Sequence, residues 1–314
     1  MKRSLICPHF FTASFGLVLA FAFAAASFAQ TSDADRAQLT TSQVPYGTSP
    51  VTGGHAVSSP NDSDLGEQEI LKREERYEPF TATAGVPFYW TSNVALSRND
   101  EREDFIMAPS AGLFFQPRLT RTIFGLVDIR EQMFLYDRFD DFDFNAFDVD
   151  VGLSCVVPQL DNLLLRLQYN YERLSTDQGW DEFFSDHSII FNAEAPVALG
   201  RNQQLAFGTY VKISLASEPE RPRRDDYEGY VSYNVNLTRA FNVNAVARIV
   251  VRDYLHQQSR VDMSEIGSLI ASYRFTKYLT ASALGTWAAN QSNKHFFDYE
   301  VANAGGALSL AIKF

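Results

Sequence analysis

Hydrophobic and polar residues alternate with a period of two from Val86 to the end of the chain. The segment FDVDVGLSCV sets Phe147, Val149, Val151, Leu153 and Cys155 against Asp148, Asp150, Gly152 and Ser154. LLLRLQYNYE sets Leu163, Leu165, Leu167, Tyr169 and Tyr171 against Arg166, Gln168, Asn170 and Glu172. Leu205, Phe207, Val211, Ile213 and Leu215 oppose Gly208, Tyr210, Lys212 and Ser214, and Val243, Ala245, Ala247, Ile249 and Val251 oppose Asn244, Arg248 and Arg252. Successive side chains of a strand face opposite ways, so each segment predicts a strand with one apolar and one polar face.

The strands are punctuated unevenly. Short turns fall at QPRLTR (116–121), PQLDN (158–162), LGRNQ (199–203), LTRAF (237–241) and FTKYL (275–279). Longer polar connections lie between them, at 97–104, 137–143, 175–186, 217–226, 256–260 and 290–298. Short and long alternate throughout, which predicts twelve antiparallel strands with both ends of the set on the short-turn side. Strands of about 10–15 residues exceed the roughly 9–11 needed to cross a bilayer. The predicted fold class is an all-β, transmembrane, up-and-down antiparallel β-barrel of about 12 strands, its apolar face toward lipid. A soluble sandwich would need far more charge on its outer face. Glu131, Asp253 and Glu265 do fall on the lipid side, but near the strands' outer ends.

The first 29 residues carry Lys2 and Arg3, an apolar run from Phe10 to Ala26, and the small residues Ser27 and Ala29 around Phe28. That is the layout of a secretory signal peptide cut before Gln30. Residues 30–85 read as a flexible, disordered periplasmic leader with a short charged helix over 65–77, and 86–314 as the barrel. Loss of Lys2 and Arg3 leaves 25 basic against 38 acidic residues, a net charge of −13, which argues against nucleic acid as a partner. Cys155 is then the only cysteine, and no disulfide framework is expected.

The C-terminal GGALSLAIKF places Leu308, Leu310, Ile312 and Phe314 on one face of the last strand and ends on an aromatic residue. In this the chain resembles Gram-negative-type outer-membrane β-barrels. The resemblance implies that those four residues form the signal read by the barrel-assembly machinery, with outer-membrane lipid and lipopolysaccharide as surroundings. The opening VPFYWTSNVALSRNDEREDFIMAPSAGLFFQPR is similar to β-barrel porin families whose first hairpin carries an aromatic-x-x-Asn-Val segment and a later proline.

The inward face carries an acidic set on the third to sixth strands: Asp128, Asp148, Asp150, Glu172 and Glu194. A basic set, Lys212, Arg248, Arg252 and Arg274, lies on the seventh to tenth, while Arg130 and Arg166 interrupt the segregation. Opposed walls across a narrow lumen would set up a transverse field suited to small polar solutes. A small diffusion channel is the leading expectation. The alternatives are a closed structural barrel, whose charges pair across the lumen, or a helper barrel for surface polysaccharide export. Enzymatic acyl transfer lacks its base and nucleophile pair, since His187, His256 and His295 have Ile189, Gln258 and Phe297 two residues on, none of them serine. No cofactor and no metal site is expected. A transporter of about 22 strands around a folded plug does not fit so short a leader.

Overall fold

The computed structural model describes residues 33–43, 78–176 and 181–314. The signal segment, residues 65–77 and the rest of 44–77 lie outside the described residues. Thirteen strands follow one another: β1 (Phe80–Thr91), β2 (Asp104–Met107), β3 (Ser110–Phe115), β4 (Ile123–Tyr136), β5 (Phe144–Val157), β6 (Leu163–Thr176), β7 (Glu182–Ala198), β8 (Gln203–Glu218), β9 (Arg224–Asn236), β10 (Phe241–Tyr254), β11 (Arg260–Arg274), β12 (Leu279–Ser292) and β13 (Tyr299–Lys313). Each pairs antiparallel with its neighbours, and β13 pairs with β1, so no edge remains.

β2 and β3 are two pieces of one stave. β2 pairs with the outer half of β1 and β3 with its inner half, and both pair with β4. Pro109 separates them because it brings no backbone N–H to the ladder. The ladder is bridged around it, with Ala108 N–H donating to Pro87 O and Met133 N–H to Pro109 O. The barrel is therefore closed, antiparallel and twelve-stranded, as the alternation predicts.

Its outer surface is an apolar belt. Val151, Leu153, Leu167, Phe207, Ile249 and Leu269 are exposed on outward-facing positions, while their inward neighbours are buried or half-buried. Lipid is the solvent that makes such exposure favourable. At the short-turn end the rings of Phe80 and Phe115 stack at 4.4 Å and those of Phe80 and Phe314 at 5.6 Å, forming part of an aromatic girdle. One short turn, after Val157, is closed by Asp161 and Asn162 at φ of 53° and 65°, a left-handed conformation that these two residue types tolerate.

Two features differ from the sequence reading. The barrel begins at Phe80 instead of Val86, because the small residues of 80–85 gain their strand from partners. Thr81 to Gly85 register against Lys313 to Ser309 on one side and Phe114 to Ser110 on the other. The second feature is a helix within the expected flexible leader. Residues 33–43, DADRAQLTTSQ, form helix α1, and eight of the eleven are buried inside the barrel.

Local chemistry accounts for α1. Ala34, Arg36, Ala37, Gln38 and Leu39 are good helix formers. Thr41 Oγ1 donates to Gln38 O and Ser42 Oγ to Leu39 O, each at 2.8 Å, so both hydroxyls are satisfied by the preceding turn. Eleven residues span about 16 Å, more than half of a belt about 25 Å tall.

Candidate functional site: the lumen and its helix

α1 occupies the outer half of the lumen. Its N-terminal turn lies at the long-loop end. There Asp35 accepts from Gln257 at 3.1 Å, and Arg36 lies 3.8 Å over the Phe142 ring and donates to Tyr136 Oη at 3.3 Å. Its last described turn reaches mid-depth. Arg248, halfway along β10, donates to Ser42 O at 3.1 Å, and Arg252 to Ser42 Oγ at 3.5 Å. Gln43 donates to Tyr299 Oη at 3.0 Å.

The wall opposite the helix is apolar where the helix is. Ala34 and Ala37 join a buried cluster with Tyr89, Val94, Ile106, Phe134, Phe144 and Phe184. Leu39 packs with Val250, Ile266, Ala288, Tyr299 and Val301. These wall residues face inward, so the outer half of the lumen has a small hydrophobic core that α1 completes. The aromatic-x-x-Asn-Val segment belongs here too. Asn93 is fully buried, donates to Ser97 O and Glu300 O at 2.7 and 2.9 Å, and so holds the first outer loop with Val94 against this cluster.

The lumen charges follow the wall. Arg130 reaches Asp148 on the adjacent strand at 3.4 Å. Lys212 on β8 reaches Asp186 on β7 at 3.1 Å and Glu172 on β6 at 2.9 Å. Arg224 pairs with Asp226 at 3.1 Å, Arg248 with Glu228 at 3.8 Å, and Arg260 with Asp262, each within one strand or between neighbours. Asp150 accepts from Gln168 and Asn170 at 2.8 and 2.9 Å. Among the described residues, no ion pair between strands joins opposite walls.

Lower in the lumen, Tyr230 of β9 reaches across β8 to donate to Glu194 of β7 at 2.7 Å. Gly208 makes this reach attainable. It stands between the two in register, and a Cβ there would lie 2.0 Å from the tyrosine ring.

All the residues expected to line the lumen lie on the inward parity of their strands. Asp128, Asp150, Glu172, Glu194, Arg130 and Arg166 are buried, and Asp148, Lys212 and Arg248 are nearly so. Arg252 is 1% exposed. Arg274, by contrast, is exposed at the short-turn end and donates to Arg239 O at 2.6 Å, outside the lumen proper. The segregation into acidic and basic walls does not extend to β9–β11. Asp226, Glu228 and Asp262 interleave with the arginines there, because a buried guanidinium needs a nearby acid. Those three acids, with Asp186, Arg224 and Arg260, are lumen charges beyond the sequence expectation, although parity along their strands identifies them. His187 sits on the outward face between Tyr169 and Tyr171, while Ser188 points inward to Asn170, so the two form no catalytic pair.

No protein-family model and no curated protein sequence matches the chain. Among solved structures, an outer-membrane channel from Pseudomonas putida F1 aligns with a TM-score of 0.51 at 10% identity, over 76% of this chain and 98% of that one. The fold is that of an outer-membrane β-barrel. The KdgM porin (TM-score 0.38, 7% identity, 71% and 97% of the chains) and Omp33 of Acinetobacter baumannii (0.37, 10%, 76% and 99%) also align.

Proposed function

We propose that this protein is an outer-membrane channel for small polar solutes, held closed by α1 in the state described. The observation that carries this reading is the course of the lumen ion pairs, which among the described residues run along the wall and not across the lumen. α1 alone, among the described residues, bridges the β4 wall to the β10–β13 wall. It is a polar helix with one large apolar side chain, Leu39, and hydrogen bonds and an ion pair tie it to the wall. A signal peptide, the terminal strand as assembly signal and a lipopolysaccharide-facing outer rim complete the proposal.

A permanently closed structural barrel is the second reading, favoured by the buried apolar contacts of Ala34 and Ala37. Planar-bilayer recording separates the two. Ala37→Trp places an indole where no space exists and should expel α1. Wild-type protein is expected to give rare conductance steps, and the variant frequent, larger ones, with heat-modifiable migration kept in both. Folded protein that is silent in both forms would establish the closed barrel instead.

A further inference from the structure

Within the lumen proper, the β9–β11 wall carries seven inward charges, Arg224, Asp226, Glu228, Arg248, Arg252, Arg260 and Asp262, with Arg274 outside it at the short-turn end. Four guanidinium groups therefore face three wall carboxylates. The fourth carboxylate comes from α1, where Asp35 pairs with Arg260 at 3.0 Å. Arg260 is also held between two rings, 3.9 Å from Tyr254 and 3.5 Å from Phe297, and is 1% exposed.

Arg252 is the sharper observation. It is equally buried, yet among the described residues it has no carboxylate within ion-pair distance. It bonds only to the hydroxyls of Ser264 and Ser42, and its Nε has no partner. A guanidinium buried this far with no carboxylate in direct contact keeps donors free for an oxygen ligand. In the state described, oxygens of α1 stand in. Ser42 offers its carbonyl oxygen to Arg248 and its hydroxyl oxygen to Arg252. α1 thus presents acceptor oxygens, the Asp35 carboxylate and the carbonyl and hydroxyl of Ser42, to arginines at two depths of one wall.

Building on the channel reading, we propose that Arg248, Arg252 and Arg260 form a binding site for carboxylate-bearing solutes, which α1 occupies in the closed state. A di- or tricarboxylate competes with α1 for the same guanidinium groups, so that solute binding and opening are one event. Arginine suits the task because its planar fork takes carboxylate oxygens in pairs. Linkage then requires that whatever removes α1 tightens solute binding by the same factor.

The test uses the full chain in nanodiscs, with citrate as probe and maltotriose as neutral control, measured by calorimetry. Wild type is expected to bind citrate weakly, Ala37→Trp at least tenfold more tightly, and Ala37→Trp with Arg252→Gln no better than wild type. Asp35→Asn, which keeps the volume and removes the competing charge, should also tighten citrate binding and serves if the tryptophan variant does not fold. In a salt gradient the opened channel should pass anions in preference to cations, and Arg252→Gln should weaken that preference. Citrate affinity equal in wild type, Asp35→Asn and Ala37→Trp would overturn the site, as would an opened variant indifferent to Arg252→Gln. Conductance without tightened citrate binding would sink this proposal alone. Tightened citrate binding without conductance would sink the channel and leave the carboxylate site.

Discussion

Single side chains set the spacing of the lumen wall. Tyr230 crosses a neighbouring strand only because position 208 has no Cβ, and Glu194 accepts its hydroxyl there. Gly208→Val is expected to displace the ring and cost about 1–3 kcal/mol, the range for overpacking a tight site. A lower urea midpoint for the folded barrel in detergent would register it, and an unchanged midpoint would show that the ring yields freely. At the outer rim, Asp298 accepts the Ser292 N–H at 2.7 Å and contacts His295 at 3.1 Å. The Ser292 bond first, and His295 after it, hold the Asp298 carboxyl below the ordinary carboxylate range. The contact therefore steadies the loop fully above about pH 4, the ordinary carboxylate value, and is lost as pH falls through the lower folded value. Protection of the Ser292 amide against hydrogen exchange, corrected for the intrinsic rate, should fall over that window in the wild type. In Asp298→Asn it should be weaker and independent of pH.

Among the elements, β13 carries the closure of the barrel and α1 its state. β13 pairs along its length with both β12 and β1, and Phe314 exchanges backbone hydrogen bonds with Phe80 at 3.0 and 3.1 Å. Leu308, Leu310, Ile312 and Phe314 all point outward and are exposed. Deletion of Phe314 removes the final pair of bonds and one ring of the girdle. It is predicted to lower the yield of heat-modifiable protein in the outer membrane several-fold, and normal yield would remove its role in assembly. α1 illustrates the opposite kind of element. Eleven residues with one leucine make a marginal helix in water, and the barrel supplies its packing.

For the molecule as a whole, closure hides every strand edge and leaves two solvents, lipid outside and a polar lumen within. The lumen is divided by depth as well as by charge: an apolar pocket filled by α1 above, wall-hugging ion pairs at mid-depth, and the Tyr230–Glu194 crossing below. Reversing Arg248 and Arg252 together to glutamate removes the bonds to Ser42 and sets acids against Glu228. Expected are more frequent openings and a shift toward cation preference, read from the reversal potential, with heat-modifiable folding retained. Unchanged selectivity would place both residues off the conduction path.

The twelve staves, their inward and outward faces and the closing strand were legible along the chain, because a period of two is a local property that each strand states for itself. So was the inward parity of Asp148, Glu172, Arg248 and Arg252. Pairing was not legible, since which acid meets which arginine depends on register between strands, and Lys212 finds Glu172 from two strands away. Least legible was α1. DADRAQLTTSQ carries too little hydrophobicity to announce a buried helix, and Phe134, Phe144 and Ile266 show only as apolar residues at inward positions. What joins them is a contact between residue 35 and residue 260, and only the closed barrel brings those two together.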